Sequence, residues 1–198
     1  MKIKQGLAMA ACCAMLALPG QVWAQDRAEQ KPPAPKMAVE GTPIAPGESL
    51  NAVLSLMEQQ VVGAAEAMPA DKYDFTPQGP GDFKDVRSFS SQVKHLAESN
   101  YGFFHGWGVP GAVDPKTIEA LKSKDEIVKA LKDSYKYAHT AIDSVTLQNA
   151  FTALKAPEEY KATRVSFAAF CVAHSMDHYG QMVEYLRMNG IVPPASRK

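Results

Sequence analysis

Cysteine is scarce in this chain, and its distribution excludes a disulfide-stabilised fold. Of the three cysteines among 198 residues, Cys12 and Cys13 lie in an apolar N-terminal run and only Cys171 lies beyond that run. A lone cysteine cannot form an internal disulfide, which is how many small exported domains are stabilised. The folded part must therefore be stabilised by its apolar core, with or without a bound metal.

An excess of either sign of charge is also lacking. The sequence has 21 basic and 21 acidic residues. Lys2 and Lys4 are the only charged residues of segment 1–24, so 19 basic and 21 acidic residues remain beyond it, a formal charge of −2. Nucleic acids and anionic membrane surfaces attract clustered positive charge. We therefore predict neither of them as a partner.

Long apolar runs are missing after the N-terminus, and the one at the N-terminus is shorter than the about 20 residues that span a bilayer. It covers residues 6–18, follows the basic start at residues 1–4, and precedes Val-Trp-Ala at residues 22–24. This order is typical of a cleaved export signal. We predict that residues 1–24 are such a signal, and that the mature protein is periplasmic or secreted with no stable membrane insertion.

Cys12 and Cys13 raise a second interpretation of the same segment, which is lipid attachment. A cysteine after Met9-Ala10-Ala11 weakly resembles a lipoprotein cleavage site. The apolar run continues past both cysteines, however, and the usual leucine is missing, so cleavage after Ala24 is the favoured interpretation.

Alternating strand patterns are absent as well, and helical patterns take their place. Residues 25–46 carry five prolines and few large apolar groups, which predicts an extended or disordered leader. The remaining residues, 47–198, have the size of one domain. Four stretches in it show apolar residues at the three-and-four spacing of an amphipathic helix: residues 49–68, 86–105, 123–145 and 163–189.

These four stretches predict an all-α fold, a four-helix bundle. Ser123 and Glu126 form the pattern of a capping box, which marks the start of the third helix. Gly190 closes the fourth helix, and prolines follow it. The long link over residues 106–122 means that the second and third helices need not be antiparallel neighbours.

Two histidines lie on the apolar stripe of the fourth helix. His174 and His178 are four residues apart, so both rings project from one face and can reach one metal ion. Buried imidazoles need polar partners, because an unbonded buried polar group costs about 1–3 kcal/mol. The stripe that carries them is otherwise apolar and is predicted to face the core: Phe167, Phe170, Cys171, Met182 and Tyr185.

A third candidate ligand, His95, lies in the middle of the second helix beside the inward residues Val93 and Leu96. Alone, it would be better interpreted as a core histidine bonded to a backbone carbonyl. Together with His174 and His178 it predicts a metal site, because three buried imidazoles are rarely satisfied by chance. Three imidazoles from two helices leave open coordination positions, as catalytic sites do.

Three segments carry a resemblance to a known family. They are V-K-H-L at residues 93–96, A-H-S-M-D-H-Y-G-Q at residues 173–181, and Y-L-R-M-N-G-I-V-P-P at residues 185–194. The chain resembles the DinB-like (YfiT-like) metalloenzyme superfamily over about residues 48–195. The most specific part is H-x-x-x-H-x-G-Q after an isolated mid-helix histidine.

This resemblance implies an up-down-down-up bundle, often a homodimer, and a divalent metal on His95, His174 and His178. All-imidazole ligation favours zinc or nickel, with iron as the third choice. Some family members are thiol-dependent transferases that use a low-molecular-weight thiol, others are hydrolases, and many have no known activity, so the expected partner is a small-molecule substrate. Export to a compartment poor in low-molecular-weight thiols disfavours thiol transfer here. The alternative function is a non-catalytic metal-binding or ligand-binding module.

Other polar residues near the three histidines have less definite predicted roles. Asp177 is interpreted as a solvated carboxylate or as a partner that orients an imidazole. Gln181 would line the pocket or serve as a packing amide, and Asn100 would be a buried hydrogen-bonding residue. Cys171 is interpreted as a small buried apolar residue rather than a nucleophile.

Two further histidines are predicted to lie outside the metal site. His105 is ten residues after His95, about 15 Å along a helix axis, and cannot share its metal. His139 is predicted to be exposed on the flank of the third helix. Phe103, Phe104 and Trp107 are interpreted as core and pocket rim, which suits a partly apolar ligand.

Overall fold

The computed structural model of the protein describes residues 38–155 and 161–197. The predicted export signal, residues 1–24, lies outside the described residues, as does most of the predicted leader. Within the described part, none of the helices is long and apolar enough to cross a membrane.

The described residues form five α-helices and two short 3-10 turns, with one isolated β-bridge between Ala153 and Thr163 and no named strand. The all-α prediction is confirmed. Four long helices coincide with the four predicted stretches, and their bounds agree within about three residues, as expected for frayed helix ends. The helices are α1 Pro46–Ala67, α2 Phe89–Phe103, α3 Pro115–Glu119, α4 Lys124–Asp143 and α5 Arg164–Met188.

The short helix α3 in the long link was not predicted. Its signal is local: the Asp114 side chain accepts a hydrogen bond from the Lys116 amide at 3.0 Å, and Pro115 occupies the first helical position. An N-cap aspartate followed by proline is a helix start. A five-residue helix is too short to show a periodic pattern, so periodicity alone could not find it.

Side-chain caps mark the starts of helices α4 and α5. The predicted capping box is confirmed, because Ser123 Oγ accepts from the Glu126 amide at 3.3 Å and the Ser123 amide donates to Glu126 Oε2 at 3.2 Å. Thr163 and Ser166 form a second capping box at the start of α5. Gly190, at φ +72°, follows α5 in the left-handed conformation that ends helices.

The four long helices pack as neighbours in a ring, with α1 and α2 each lying against both α4 and α5. Lys124 Nζ, at the start of α4, donates to the Glu66 carbonyl at the end of α1, 2.8 Å away, so α1 and α4 are antiparallel. Lys94 reaches the Leu121 carbonyl just before α4, at 3.4 Å. Tyr101, late in α2, is in ring contact with Tyr137, late in α4, so these two helices are parallel.

Helices α2 and α5 are antiparallel, because Gln92 early in α2 bonds Gln181 late in α5, while Asn100 late in α2 bonds Cys171 early in α5. The order is therefore up for α1, down for α2 and α4, and up for α5. This polarity is the one implied by the family resemblance. It places α2 directly against α5, the two helices that carry the three candidate ligands.

A layer of buried polar groups that are hydrogen-bonded to one another lies in the bundle next to the histidines. Asn100 Nδ2 donates to Ser134 Oγ at 3.0 Å, and Tyr135 OH donates to Ser175 Oγ at 3.0 Å. The Cys171 thiol donates to Asn100 Oδ1 at 3.4 Å. Because each of these groups has a partner in the layer, the hydrogen bonds fix how α2, α4 and α5 meet.

Candidate metal centre

The structure brings the three predicted histidines together between α2 and α5. His95 Nε2 lies 3.2 Å from His174 Nε2, and His178 Nε2 lies 3.1 Å from His174 Nε2. The candidate ligand atoms of all three lie within 4.8 Å of one another. Nitrogens about 3–4 Å apart suit two ligands of one metal with bonds near 2.0–2.1 Å. Three histidines placed this way could hold a metal ion.

Local helix geometry accounts for the cluster. His174 and His178 are one turn apart on α5, so their ring centroids lie 4.5 Å apart. The antiparallel helix α2 presents His95 to both of them, at centroid distances of 5.1 and 4.8 Å. The flanking residues Val93 and Leu96 are fully buried and hold this part of α2 against the core.

The environment of the cluster favours neutral imidazoles. Burial lowers the pKa of His95 to about 4, aided by the positive charge of Arg87 and by His174. Burial also lowers the pKa of His178 to about 4, with His174 and His95 contributing. The pKa of His174 is lowered by burial as well. At neutral pH each ring therefore keeps one nitrogen lone pair, which is the form that binds metals.

Protein atoms of the described residues do not by themselves satisfy the three facing nitrogens. His178 Nδ1 lies 2.5 Å from Gln92 Oε1, an acceptor, so the single proton of the neutral His178 ring is on Nδ1 and Nε2 is a bare lone pair. His174 Nε2 faces this lone pair and also faces His95 Nε2. A single proton between these nitrogens can complete only one of the two contacts as a hydrogen bond. A divalent cation accepts all three lone pairs, so the donor set fits a metal.

His174 is the least satisfied of the three rings. Its Nδ1 is buried and has no hydrogen-bond partner among the described residues. Phe103 and Phe170 pack on the same ring, with centroid distances of 5.2 and 6.1 Å. One side of the cluster is therefore aromatic, and it offers His174 no polar group, so Nε2 is the nitrogen available for bonding.

Phe170 corrects one prediction. Its place on the α5 stripe predicted a core residue, but its side chain is 54% exposed. The stripe drifts around a 25-residue helix, and α2 ends at Phe103, beside which Phe170 packs at 5.2 Å between ring centroids. Among the described residues, Phe170 therefore forms an exposed aromatic edge next to His174.

His139 corrects a second prediction, because it is not an exposed flank residue. Its side chain is only 22% exposed. Nδ1 lies 2.7 Å from Asn51 Oδ1, and Nε2 lies 3.0 Å from Glu58 Oε2. Both partners belong to α1, so the periodicity of α4 alone could not show them. His105 is exposed and is outside the histidine cluster, as predicted.

The structure also assigns contacts to the less definite candidates. Gln181 donates from Nε2 to Asp177 Oδ2 at 3.0 Å and accepts from Gln92 Nε2 at 2.7 Å. Asn100 is fully buried and hydrogen-bonded, as predicted. Cys171 is also fully buried, and burial raises the pKa of its thiol to about 12. The buried apolar interpretation of Cys171 agrees with this, since such a thiol is not a nucleophile at neutral pH.

Gln92 is the residue near the site that sequence reasoning missed. It lies three residues before His95, on the same face of α2, and is 2% exposed. The available signal was a glutamine at a helix position where the pattern calls for an apolar residue. Its partner, His178, lies 86 residues away in the chain, so the contact itself could not be predicted without the fold.

The lowered histidine pKa values predict a pH dependence for the metal-free protein. An unfolded histidine titrates near 6.5, whereas folding lowers the pKa of His95 and His178 to about 4. Between these values the unfolded chain binds more protons than the folded one, so the free energy of unfolding rises with pH. The stability contributed by the neutral rings is present above about pH 6.5 and is lost as pH falls towards 4.

Denaturant titrations of metal-free protein across this pH window would measure the effect. We expect His178→Gln to flatten the slope, since one of the titrating rings is gone. His105→Gln, which removes an exposed histidine outside the cluster, should keep the wild-type slope. Equal slopes for wild type and His178→Gln would contradict the assignment of this pH dependence to the cluster.

Fold and site together define a class: an all-α domain in which neutral imidazoles from two antiparallel helices converge closely enough to bind one cation. Comparison with known families identifies the particular one. The family model of the DinB superfamily matches residues 53–182, so the chain belongs to that superfamily. All three histidines lie inside the matched region. A search of curated proteins finds no match.

Proposed function

We propose that this protein is an exported metalloprotein of the DinB superfamily in which His95, His174 and His178 bind one divalent cation. The observation that carries the proposal is the convergence of three Nε2 atoms, with His174 Nε2 at 3.2 and 3.1 Å from the other two. Membership of the superfamily supports it. Zinc or nickel suits three imidazoles best, followed by iron.

The proposed activity is metal-dependent hydrolysis or group transfer on a small molecule. A cation held by three neutral ligands supplies a Lewis acid with open coordination positions. Phe103 and Phe170 give one side of the cluster an apolar surface, which suits a substrate with an apolar group. Hydrolysis is the favoured reaction, because the buried Cys171 thiol is protonated and an exported protein meets few low-molecular-weight thiols.

Metal content tests the first part of the proposal. The full chain, expressed with zinc, nickel and iron supplied and then dialysed, is analysed by plasma mass spectrometry. We expect about one equivalent of one of these metals per chain, as for one set of three histidine ligands. Protein that carries no metal after metal-replete expression and does not bind these metals in titration would overturn the proposal.

Catalysis and export are tested separately. Metal-loaded and metal-free protein are compared on panels of ester, amide and thiol-transfer substrates, and turnover only with metal supports an enzyme. Loaded protein that is inactive across the panels favours the alternative, a non-catalytic binding module. Expression of the full chain followed by intact mass measurement of the exported form tests cleavage after Ala24, and light scattering tests the dimer that the resemblance implies.

A further inference from the structure

We infer that Gln92 is a positioning residue for the proposed metal centre, where its amide holds His178 in the tautomer that turns Nε2 towards the other two histidines. Gln92 is itself oriented by Gln181, and Gln181 by Asp177. The part that concerns metal affinity rests on the proposed function. The part that concerns the tautomer does not, since it is a property of the metal-free protein.

The direction of this chain of hydrogen bonds follows from its outer end. The Asp177 carboxylate can only accept, so the group that Gln181 turns to it, at 3.0 Å, is the Nε2 amide. Gln181 Oε1 is then left for Gln92, which must donate to it from Nε2 at 2.7 Å. Gln92 Oε1 therefore faces His178, and the 2.5 Å contact requires a proton on His178 Nδ1.

Burial makes this orientation hard to change. Gln92 is 2% exposed and His178 is 5% exposed, so water does not compete for their polar atoms. Turning the Gln92 amide over would set its Oε1 against Gln181 Oε1, and the His178 proton would have to move to Nε2 for the contact with Gln92 Nε2 to remain a hydrogen bond. One hydrogen bond would thus be replaced by a repulsive contact, and the buried Gln92 oxygen could not recover it from solvent.

His178 differs from the other two rings in this respect. It is the only one of the three whose second ring nitrogen has a hydrogen-bond partner among the described residues. Histidine ligands of metal sites usually have such a partner, which sets the ring orientation and its basicity. Helix α2 thus contributes twice to the centre, with His95 as a ligand and with Gln92 three residues earlier as the group that orients a ligand of α5.

Nitrogen NMR of ¹⁵N-histidine-labelled, metal-free protein tests the tautomer at neutral pH. In the wild type we expect His178 to be protonated on Nδ1 alone. Gln92→Leu, which keeps the side-chain size but removes the acceptor, should give a mixture of tautomers. Gln92→Glu keeps an acceptor for the Nδ1 proton, although it cannot donate to Gln181, and should keep His178 protonated on Nδ1. Gln59→Leu, at an exposed position of α1, is the matched control and should change nothing.

The tautomer of Gln181→Ala is measured in the same way, and metal affinity is then measured on all five proteins by chelator competition with Zn²⁺. Gln92→Leu should bind about 10- to 100-fold more weakly, the usual cost of losing a partner that orients a ligand. Gln92→Glu should stay close to wild type, and Gln181→Ala should fall between the two. If Gln92→Leu does not fold, as judged by circular dichroism, Gln181→Ala alone carries the test through its intermediate tautomer mixture and affinity.

The outcomes separate this inference from the proposed function. An unchanged His178 tautomer in a folded Gln92→Leu or Gln181→Ala variant would overturn the positioning role, even if metal binds. If the tautomer changes as expected in the variants but the wild type binds no metal, the positioning role is upheld and the proposed function is overturned. A change in tautomer with undiminished metal affinity would overturn the link between the two.

Discussion

Replacing His174 with alanine is expected to abolish stoichiometric metal binding. His174 Nε2 is the central atom of the cluster, 3.2 Å from His95 Nε2 and 3.1 Å from His178 Nε2. Loss of a group that only orients a ligand weakens metal binding about 10- to 100-fold, so loss of the central ligand should weaken it more than about 100-fold. Plasma mass spectrometry after dialysis and chelator competition would measure both quantities.

His105→Ala is the matched control, since it removes an exposed histidine outside the cluster. It should retain full metal content and affinity. His174→Ala should still fold, because alanine favours helices and the change removes a buried Nδ1 that has no partner among the described residues. Full metal content in a folded His174→Ala protein would place the metal elsewhere and refute the three-histidine site.

The same pair of variants predicts a difference in thermal unfolding. A ligand that binds only the folded state raises stability by about 2.7 kcal/mol at one hundred times its dissociation constant. Added metal should therefore raise the Tm of wild type and of His105→Ala. The Tm of His174→Ala should not respond at the same metal concentration.

The largest expected effect on stability comes from the core of α4. Leu131 is fully buried between the helices, so Leu131→Ala removes apolar contacts and leaves a cavity. Such substitutions cost about 2–5 kcal/mol, which is a large share of the about 5–15 kcal/mol by which domains are stable. Urea denaturation followed by circular dichroism would measure the loss.

Leu147→Ala provides the same chemical change at a surface position, since Leu147 is 80% exposed in the loop after α4. Its cost should stay within about 0.5 kcal/mol. Metal-free protein should be used for both variants, so that stabilisation by a bound cation does not mask the core effect. Equal losses for the two variants would contradict the packing described for α4.

Periodicity and caps carry most of the information that the sequence holds about the fold. The inward residues of each long helix recur at three-and-four spacing, and Ser123, Thr163 and Gly190 mark ends where the chemistry of the cap is local. Bounds of the long helices could therefore be predicted closely. The bounds of helix α3 could not be predicted, because a helix of five residues is too short to show a repeating apolar pattern.

The parts of the site that depend on a single helix could be predicted from the sequence, and those that depend on helix packing could not. His174 and His178 share a helix face, so their proximity follows from spacing alone. His95 could be assigned to the same site from its inward position on the second helix and from the family resemblance. Gln92 and the α1 partners of His139 depend on which helix packs against which. That information lies in contacts across 80 or more residues, such as the 81-residue separation of His139 and Glu58, and no local pattern records it.

Contacts between α2 and α5 also determine when a metal can first be bound during the life of the chain. His95 and His174 are 79 residues apart in sequence, and closing so long a loop without the rest of the bundle is entropically unfavourable. Synthesis delivers His95 79 residues before His174, so an emerging chain holds no assembled site until α5 has been made. A cation at these three histidines would therefore be acquired only once the bundle has closed, so the metals present where the chain folds would select the ion.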